Sequence, residues 1–282
     1  MKRVRIAVCL AVVCMMAAVN FASADTIRGI DMDFVTIGNA GNATDPATGN
    51  LYGSVSYGYR IGKYEVTAAQ WQTIKTAAGI GNSGEWSGNQ PVARISWYAT
   101  AQFCNYLTSG NKYSGAYQFD INGHFQGIDR VLSISTYGTT YVIPTEDEWY
   151  KAAYFKPNAS GYSLYANGTD TAPIAGVNSN YNEAIGSPWD IITNGTQEQN
   201  GTYDMMGNVW EWNETLIQYS YRGLRGGSYS SYDNYLASSY RYDVYDPFSS
   251  GYKVGFRIAS VPEPVTVVLM SLGGMALLRR KR

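Results

Sequence analysis

The segment DMMGNVWEW (204–212) holds the residues best suited to chemistry in this chain. Asp204 and Glu211 offer hard carboxylate oxygens. Gly207, between them, permits a backbone turn that other residues resist, which can aim carbonyl oxygens inward. Calcium takes six to eight oxygens from carboxylates, backbone carbonyls and water, so a loop of this composition could wrap one cation. The same two carboxylates could instead cap or pair locally, and both readings stand. Trp210 and Trp212 read as core anchors rather than platforms for a ligand. Arg222, Arg225, Arg241 and Arg257 could line a cleft with Tyr229, Tyr232 and Tyr240, but in an acidic chain they read first as ion-pair partners.

Other chemistries have little to work with. One histidine, His124, excludes a His-rich zinc site and leaves little room for a Ser-His-Asp hydrolase. Three cysteines, Cys9, Cys14 and Cys104, exclude a disulfide scaffold. GLRGG (223–227) is not a phosphate loop, because no Lys-Ser/Thr follows it. The 282 residues carry 21 basic and 22 acidic side chains, and seven of the basic ones sit at the two ends. The stretch from Asp25 to Glu263 therefore holds 14 basic against 22 acidic residues, a net charge of −8. Nucleic acid is not an expected partner, since phosphate binding needs clustered Lys and Arg. Cations are.

The two ends read as addresses. Lys2, Arg3 and Arg5, the apolar run Ile6 to Val19 and the small-residue pattern Ala22-Ser23-Ala24 form a secretory signal with cleavage expected after Ala24. Cys104 is then the one mature cysteine. At the other end, Pro262-Glu263-Pro264 precedes the apolar run Val265 to Leu278 and the basic tail Arg279 to Arg282. Fourteen helical residues reach about 21 Å, short of a hydrocarbon core of about 30 Å. This combination resembles the PEP-CTERM sorting signal. The resemblance implies transient anchoring in the inner membrane of a Gram-negative bacterium. An exosortase would then cut near Pro262-Glu263-Pro264, releasing the protein or attaching it at the cell surface or extracellular matrix. A plain tail anchor is the alternative.

Between the ends, residues 25–260 read as one domain without repeats or a Pro/Ser-rich linker. Three helices carry start signals: a T-x-x-Q capping box at 67–70 opening a helix toward Ala78, Ser96 capping a helix through about Leu107, and a T-x-x-E box at 145–148 opening a helix to about Tyr154. Residues 108–143 are expected to hold one hairpin, and residues 156–203 to be mostly irregular. Loops of that length need a stapling device, for which a bound cation is one candidate.

Six segments together resemble the formylglycine-generating enzyme, or sulfatase-modifying factor, family: GKYEVTAAQW (62–71), PVARISWYATAQFCNYL (91–107), IPTEDEWYKAAY (143–154), GTYDMMGNVWEW (201–212), LRGGSY (224–229) and GFRIAS (255–260). The resemblance covers nearly all of residues 28–260. It implies an α+β, C-type-lectin-like fold with little regular secondary structure. It also implies a calcium site with side-chain oxygens from Asp204 and Glu211 and backbone carbonyls from Gly207 and Val209, and a second site beginning at Asn180-Tyr181. Active members of the family carry two cysteines shortly after GGS that bind copper(I), which soft thiolates favour, and oxidise a substrate cysteine. Here those positions fall on Ser231 and Leu236, neither a good copper(I) ligand, and Ser228, which matches an active-site serine, cannot replace them. Cys104 reads as a small core residue. Copper is not expected. The resulting expectation is an exported, non-catalytic, calcium-stabilised module that offers a tyrosine-rich surface to an extracellular polysaccharide or a surface protein. The alternative is an oxidase acting on sulfatase cysteines.

Overall fold

The computed structural model describes residues 23–261 apart from Ile192. Most of the expected signal, together with Pro262, Glu263, Pro264 and the apolar run that follows, lies outside the described residues. Among the described residues, no helix is long and apolar enough to cross a membrane.

The chain opens with β1 (Ser23–Ile27) and β2 (Ile30–Ile37), an antiparallel pair in which Ala24 stands opposite Asp33. In β2 the outer residues alternate between buried and exposed, and the paired apolar residues Phe34 and Val35 lie inside. β3 (Tyr59–Gly62) pairs with β2, and the C-terminal β11 (Ala259–Val261) inserts between β3 and β6 (Thr140–Val142). This five-stranded sheet has the order β1-β2-β3-β11-β6, so the two ends of the domain meet in it. A second sheet, ordered β10-β7-β8-β9, is built from β7 (Trp210–Leu216), β8 (Arg222–Arg225), β9 (Tyr242–Tyr245) and the two-residue β10 (Val254–Gly255).

The three capped helices form where their start signals stand. They are α1 (Ala68–Ala78), α2 (Trp97–Ser109) and α4 (Glu146–Tyr154). Thr67 and Thr145 each accept from the backbone N–H three residues on, and Gln70 and Glu148 reach back to the cap N–H, so both capping boxes are complete. α1 packs on α2 through Trp71 and Phe103, stacked with ring centroids 5.7 Å apart. Almost every side chain of α4 is buried, including Glu146, Glu148 and Lys151. The buried carboxylates are matched by arginines from distant segments: Arg225 and Arg241 on Glu146, each at 2.7 Å, and Arg130 on Glu148 at 2.8 Å.

Residues 108–143 hold more than the expected hairpin. The hairpin is there, as β4 (Tyr117–Phe119) and β5 (Phe125–Ile128), but α3 (Arg130–Tyr137) and β6 follow it. α3 fully buries only Ser133, leaves Val131 and Leu132 exposed and packs Ile134 partly against the core. Residues 156–203 form no helix or strand among the described residues. Side-chain amides tether this stretch. Asn200 donates to the carbonyls of Ala152 (3.0 Å) and Phe155 (2.7 Å), and Gln199 donates to that of Ala153 (2.8 Å). These are carbonyls at the end of α4 that the helix itself cannot satisfy, so loop and helix end complete each other.

Candidate functional site

The loop leading into β7 coils tightly. Asp204, Gly207 and Asn208 all adopt positive φ, at 59°, 86° and 58°. Asp and Asn tolerate that region better than other residues with a Cβ. Gly207 is required for a second reason: a Cβ there would overlap the carbonyl of Asn180. The Asn180 carbonyl in turn accepts the Asn208 N–H at 2.7 Å. Asn180-Tyr181 and the 204–211 loop, expected as two separate sites, are thus one contiguous cluster. Tyr181 itself turns its hydroxyl away, to the Pro173 carbonyl at 2.5 Å.

Asn208 is the hub. Its carboxamide oxygen accepts from Asn180 Nδ2 (3.1 Å) and from the Trp189 N–H (3.0 Å). Its Nδ2 donates to Glu65 Oε2 at 2.6 Å, and the Val209 N–H donates to Glu65 Oε1 at 3.1 Å. Asp204 Oδ1 accepts the Trp189 indole N–H at 2.9 Å. Asp204 Oδ2 and Asn180 Oδ1 are buried without a hydrogen-bond partner. An orphaned carboxylate oxygen in the interior costs free energy unless something neutralises it.

Glu211 is placed differently. Arg257 grips it in a fork, Nη2 to Oε1 at 2.6 Å and Nε to Oε2 at 2.7 Å, and the Trp149 indole N–H adds 2.7 Å to Oε2. Each oxygen of Glu211 is therefore engaged, and the side chain is a wholly buried ion-pair partner. Among the described residues, no group of three or more Asp, Glu, His or Cys side chains is arranged to hold a metal.

Four buried carboxylates, Glu65, Glu198, Asp204 and Glu211, share one arginine, Arg257. Burial, reinforced by Asp204 and Glu211, holds the Glu65 carboxyl well above the usual range. Burial pushes Glu198 up to about 7, against the pull of Arg257 and of Thr202 and Met205, which donate to it. Asp204 rises to about 8 through burial and the neighbouring Glu198. This pocket of charge gains stability either from protons or from a cation. Sequence reasoning assigned no role to Glu65, Glu198 or Asn208, whereas Arg257 is an ion-pair partner as expected. The available signal for Glu65 was a carboxylate set between Tyr64 and Val66.

The positions where the family carries thiols are filled and closed. Ser231 Oγ accepts the Ser228 N–H at 2.9 Å and lies 3.2 Å from Ser228 Oγ. Leu236 is fully buried, and both residues converge on Gly227, where a Cβ would meet Leu236 Cδ2 at 2.6 Å. Cys104 sits inside α2, wholly buried, and burial raises its thiol well above the ordinary value. It is a core residue. His124 is exposed and pairs with Asp120 at 3.1 Å.

Of the two tryptophans, Trp212 is the expected core anchor, fully buried with its indole on the Ile95 carbonyl at 2.8 Å. Trp210 is not. It is half-buried, with Tyr235, Tyr240 and Tyr242 about its ring at centroid distances of 6.1, 5.9 and 5.8 Å. β10 contributes only two residues beside the start of β7, too little to cover it. Arg225, Arg241 and Arg257 are the ion-pair partners expected, whereas Arg222 lies over the Trp97 ring at 4.1 Å and donates to the Glu214 carbonyl.

Comparison with known proteins agrees with this frame. A sulfatase-modifying factor enzyme 1-like domain model matches residues 38–261. The "Chaperone protein LppX" of Paenibacillus barcinonensis is 28% identical over 207 residues, 64% of this chain and 73% of that protein. Among solved structures, Treponema denticola variable protein 1 superposes with a TM-score of 0.64 at 24% identity, covering 85% of this chain and 99% of that one. PvdO from Pseudomonas aeruginosa gives 0.57 at 16% identity, covering 82% and 94%. At these identities the structural neighbours establish the fold, an α+β formylglycine-generating-enzyme-like and C-type-lectin-like one.

Proposed function

Because the chain belongs to the sulfatase-modifying factor enzyme 1-like family, we propose that it is an exported module that has kept the family's frame and gives up its oxidation chemistry for binding. The observation that carries this reading is Leu236 buried against Gly227 where the copper thiols would stand, with Ser231 beside it. Neither side chain is a soft ligand, and the one thiol among the described residues, Cys104, is locked in a helix core. The likeness to a protein named as a chaperone supports a role in holding a partner. The partner is an extracellular polysaccharide or a surface protein, and the setting is the cell surface or matrix, reached through the N-terminal signal and the C-terminal sorting segment, with exosortase as the processing enzyme.

The module is calcium-stabilised in this reading. The free oxygens of Asp204 and Asn180 fit a hard cation, which would neutralise the surrounding acids. The carbonyls of Gly207 and Val209 complete the set that the family implies. Glu211 contributes indirectly, because its oxygens hold Arg257. The deciding experiment is metal analysis of the purified protein with calcium and copper measured together. About one calcium per chain without copper is the expected result. Stoichiometric copper would overturn the reading.

A further inference from the structure

The loops after β8 have a composition suited to recognition. Between Ser228 and Tyr252 stand seven tyrosines and seven serines in 25 residues. Tyrosine supplies large, stiff contact area at low entropic cost, and serine supplies adaptable hydrogen bonding. These loops and β10 enclose an open groove of about 270 Å³ walled by Trp210, Tyr242, Tyr245 and Tyr252, with Lys253 at its side. That volume is near the lower end of small-ligand sites, roughly 300 to 1,000 Å³. It accommodates a ring or two and not the face of a folded protein.

The groove's charge is opposite to that of the body. The chain carries −8 between Asp25 and Glu263, yet no acid is among the described residues that line the groove. Five arginines, Arg60, Arg130, Arg225, Arg241 and Arg257, are paired with carboxylates. Lys253 is not among the ion pairs of the described residues. Its ammonium donates to Ser230 Oγ and lies 5.1 Å from the centre of the Tyr229 ring. Arg94 lies over the ring of Tyr252, one of the lining residues, at 4.3 Å and is in none of the ion pairs of the described residues. Two cations are thus presented on aromatic supports beside the half-buried Trp210 and Tyr245 and the exposed Tyr242 and Tyr252.

Resting on the binding reading above, we propose that this groove takes a segment of a uronate-bearing polysaccharide. The apolar face of a pyranose stacks on Trp210 and the tyrosines, whose apolar faces and polar tips suit a sugar. Its carboxylate meets Lys253 and Arg94, and the Ser230 hydroxyl beside Lys253 takes up a sugar hydroxyl. A partly exposed ion pair of this kind is weakened by salt.

The test uses the purified full chain, hyaluronan oligosaccharides and their carboxyl-reduced, neutral twins, with affinity measured by calorimetry at low and high salt. Hyaluronan should bind more tightly than its neutral twin by about tenfold at low salt, roughly the 1.4 kcal/mol that such a factor represents, and the difference should shrink at high salt. Lys253→Met should erase the difference, and Trp210→Ala should weaken both ligands. Lys253→Glu, at a partly exposed site that tolerates charge, guards against misreading a folding defect. Equal affinity for acid and neutral forms, binding unchanged in all three variants, or no binding of either glycan would overturn the assignment. If the groove fails in this way while metal analysis still finds calcium and no copper, the binding reading stands and only its ligand falls. A copper-loaded protein would remove the reading itself.

Discussion

Asp204 and Glu211, which look alike in the sequence, separate at the scale of the residue. Glu211 is held in a two-pronged pair with Arg257, and removing one partner of a buried pair costs about 3 to 5 kcal/mol because the other charge is left uncompensated. Glu211→Gln should therefore lower the melting temperature strongly, by the same amount with chelator as with calcium. Asp204→Asn removes a charge but keeps the Trp189 contact through its remaining oxygen. It should cost little in chelator and abolish the calcium response. In the wild type, calcium at a hundredfold excess over Kd would add about 2.7 kcal/mol, roughly 5 to 10 °C for a domain of this size. Differential scanning calorimetry on the two variants with calcium and with chelator checks both expectations. Identical wild-type melting in the two conditions would remove calcium from the account. That the two acids differ was not legible, because it depends on Arg257, 46 residues further along the chain than Glu211.

Among the elements, the capped helices were the most legible because their signals are local. Thr67, Thr145 and Ser96 accept the hydrogen bonds their spacing implies. Thr145→Ala should cost about 1 kcal/mol, and somewhat more than Thr67→Ala, because Glu148 of the same box also carries Arg130. Urea denaturation of the two variants measures this. α3 was less legible because it is short and leaves Val131 and Leu132 in solvent, although Asp129 and Gly138 bracket it as caps. Trp210 escaped for another reason. It shares a strand with Trp212, and only the shortness of β10 and the placement of the loops after β8 decide that one is buried and the other lines a groove. Long-range contacts of this kind leave no local trace.

The whole molecule sets buried charge networks within a large hydrophobic core, and these give its stability a pH signature. Glu198 and Asp204 have carboxyls raised by burial to about 7 and about 8, so between pH 4.5 and 8 the folded state binds more protons than the unfolded one. Stability then falls as pH rises through that window. Without metal, the protein should melt higher at pH 5 than at pH 8. Added calcium, which favours the ionised carboxylate, should recover most of the loss at pH 8 and little at pH 5. Thermal melts across pH 5 to 8, with chelator and with calcium, check the sign; a rise in metal-free stability toward pH 8 would contradict it. The family frame was legible from six short motifs. The acidic interior was not, since Glu65, Glu198, Asp204 and Glu211 are brought together by packing across nearly 150 residues of chain.

The central claim is that this family member binds and does not oxidise. It is tested most directly by incubating the full chain with copper, oxygen, a reductant and a peptide containing Cys-X-Pro-X-Arg, alongside an active formylglycine-generating enzyme. With Ser231 and Leu236 at the thiol positions, mass spectrometry should find the peptide cysteine unconverted in this protein's sample and converted in the control. Formylglycine formed by this protein would contradict the account.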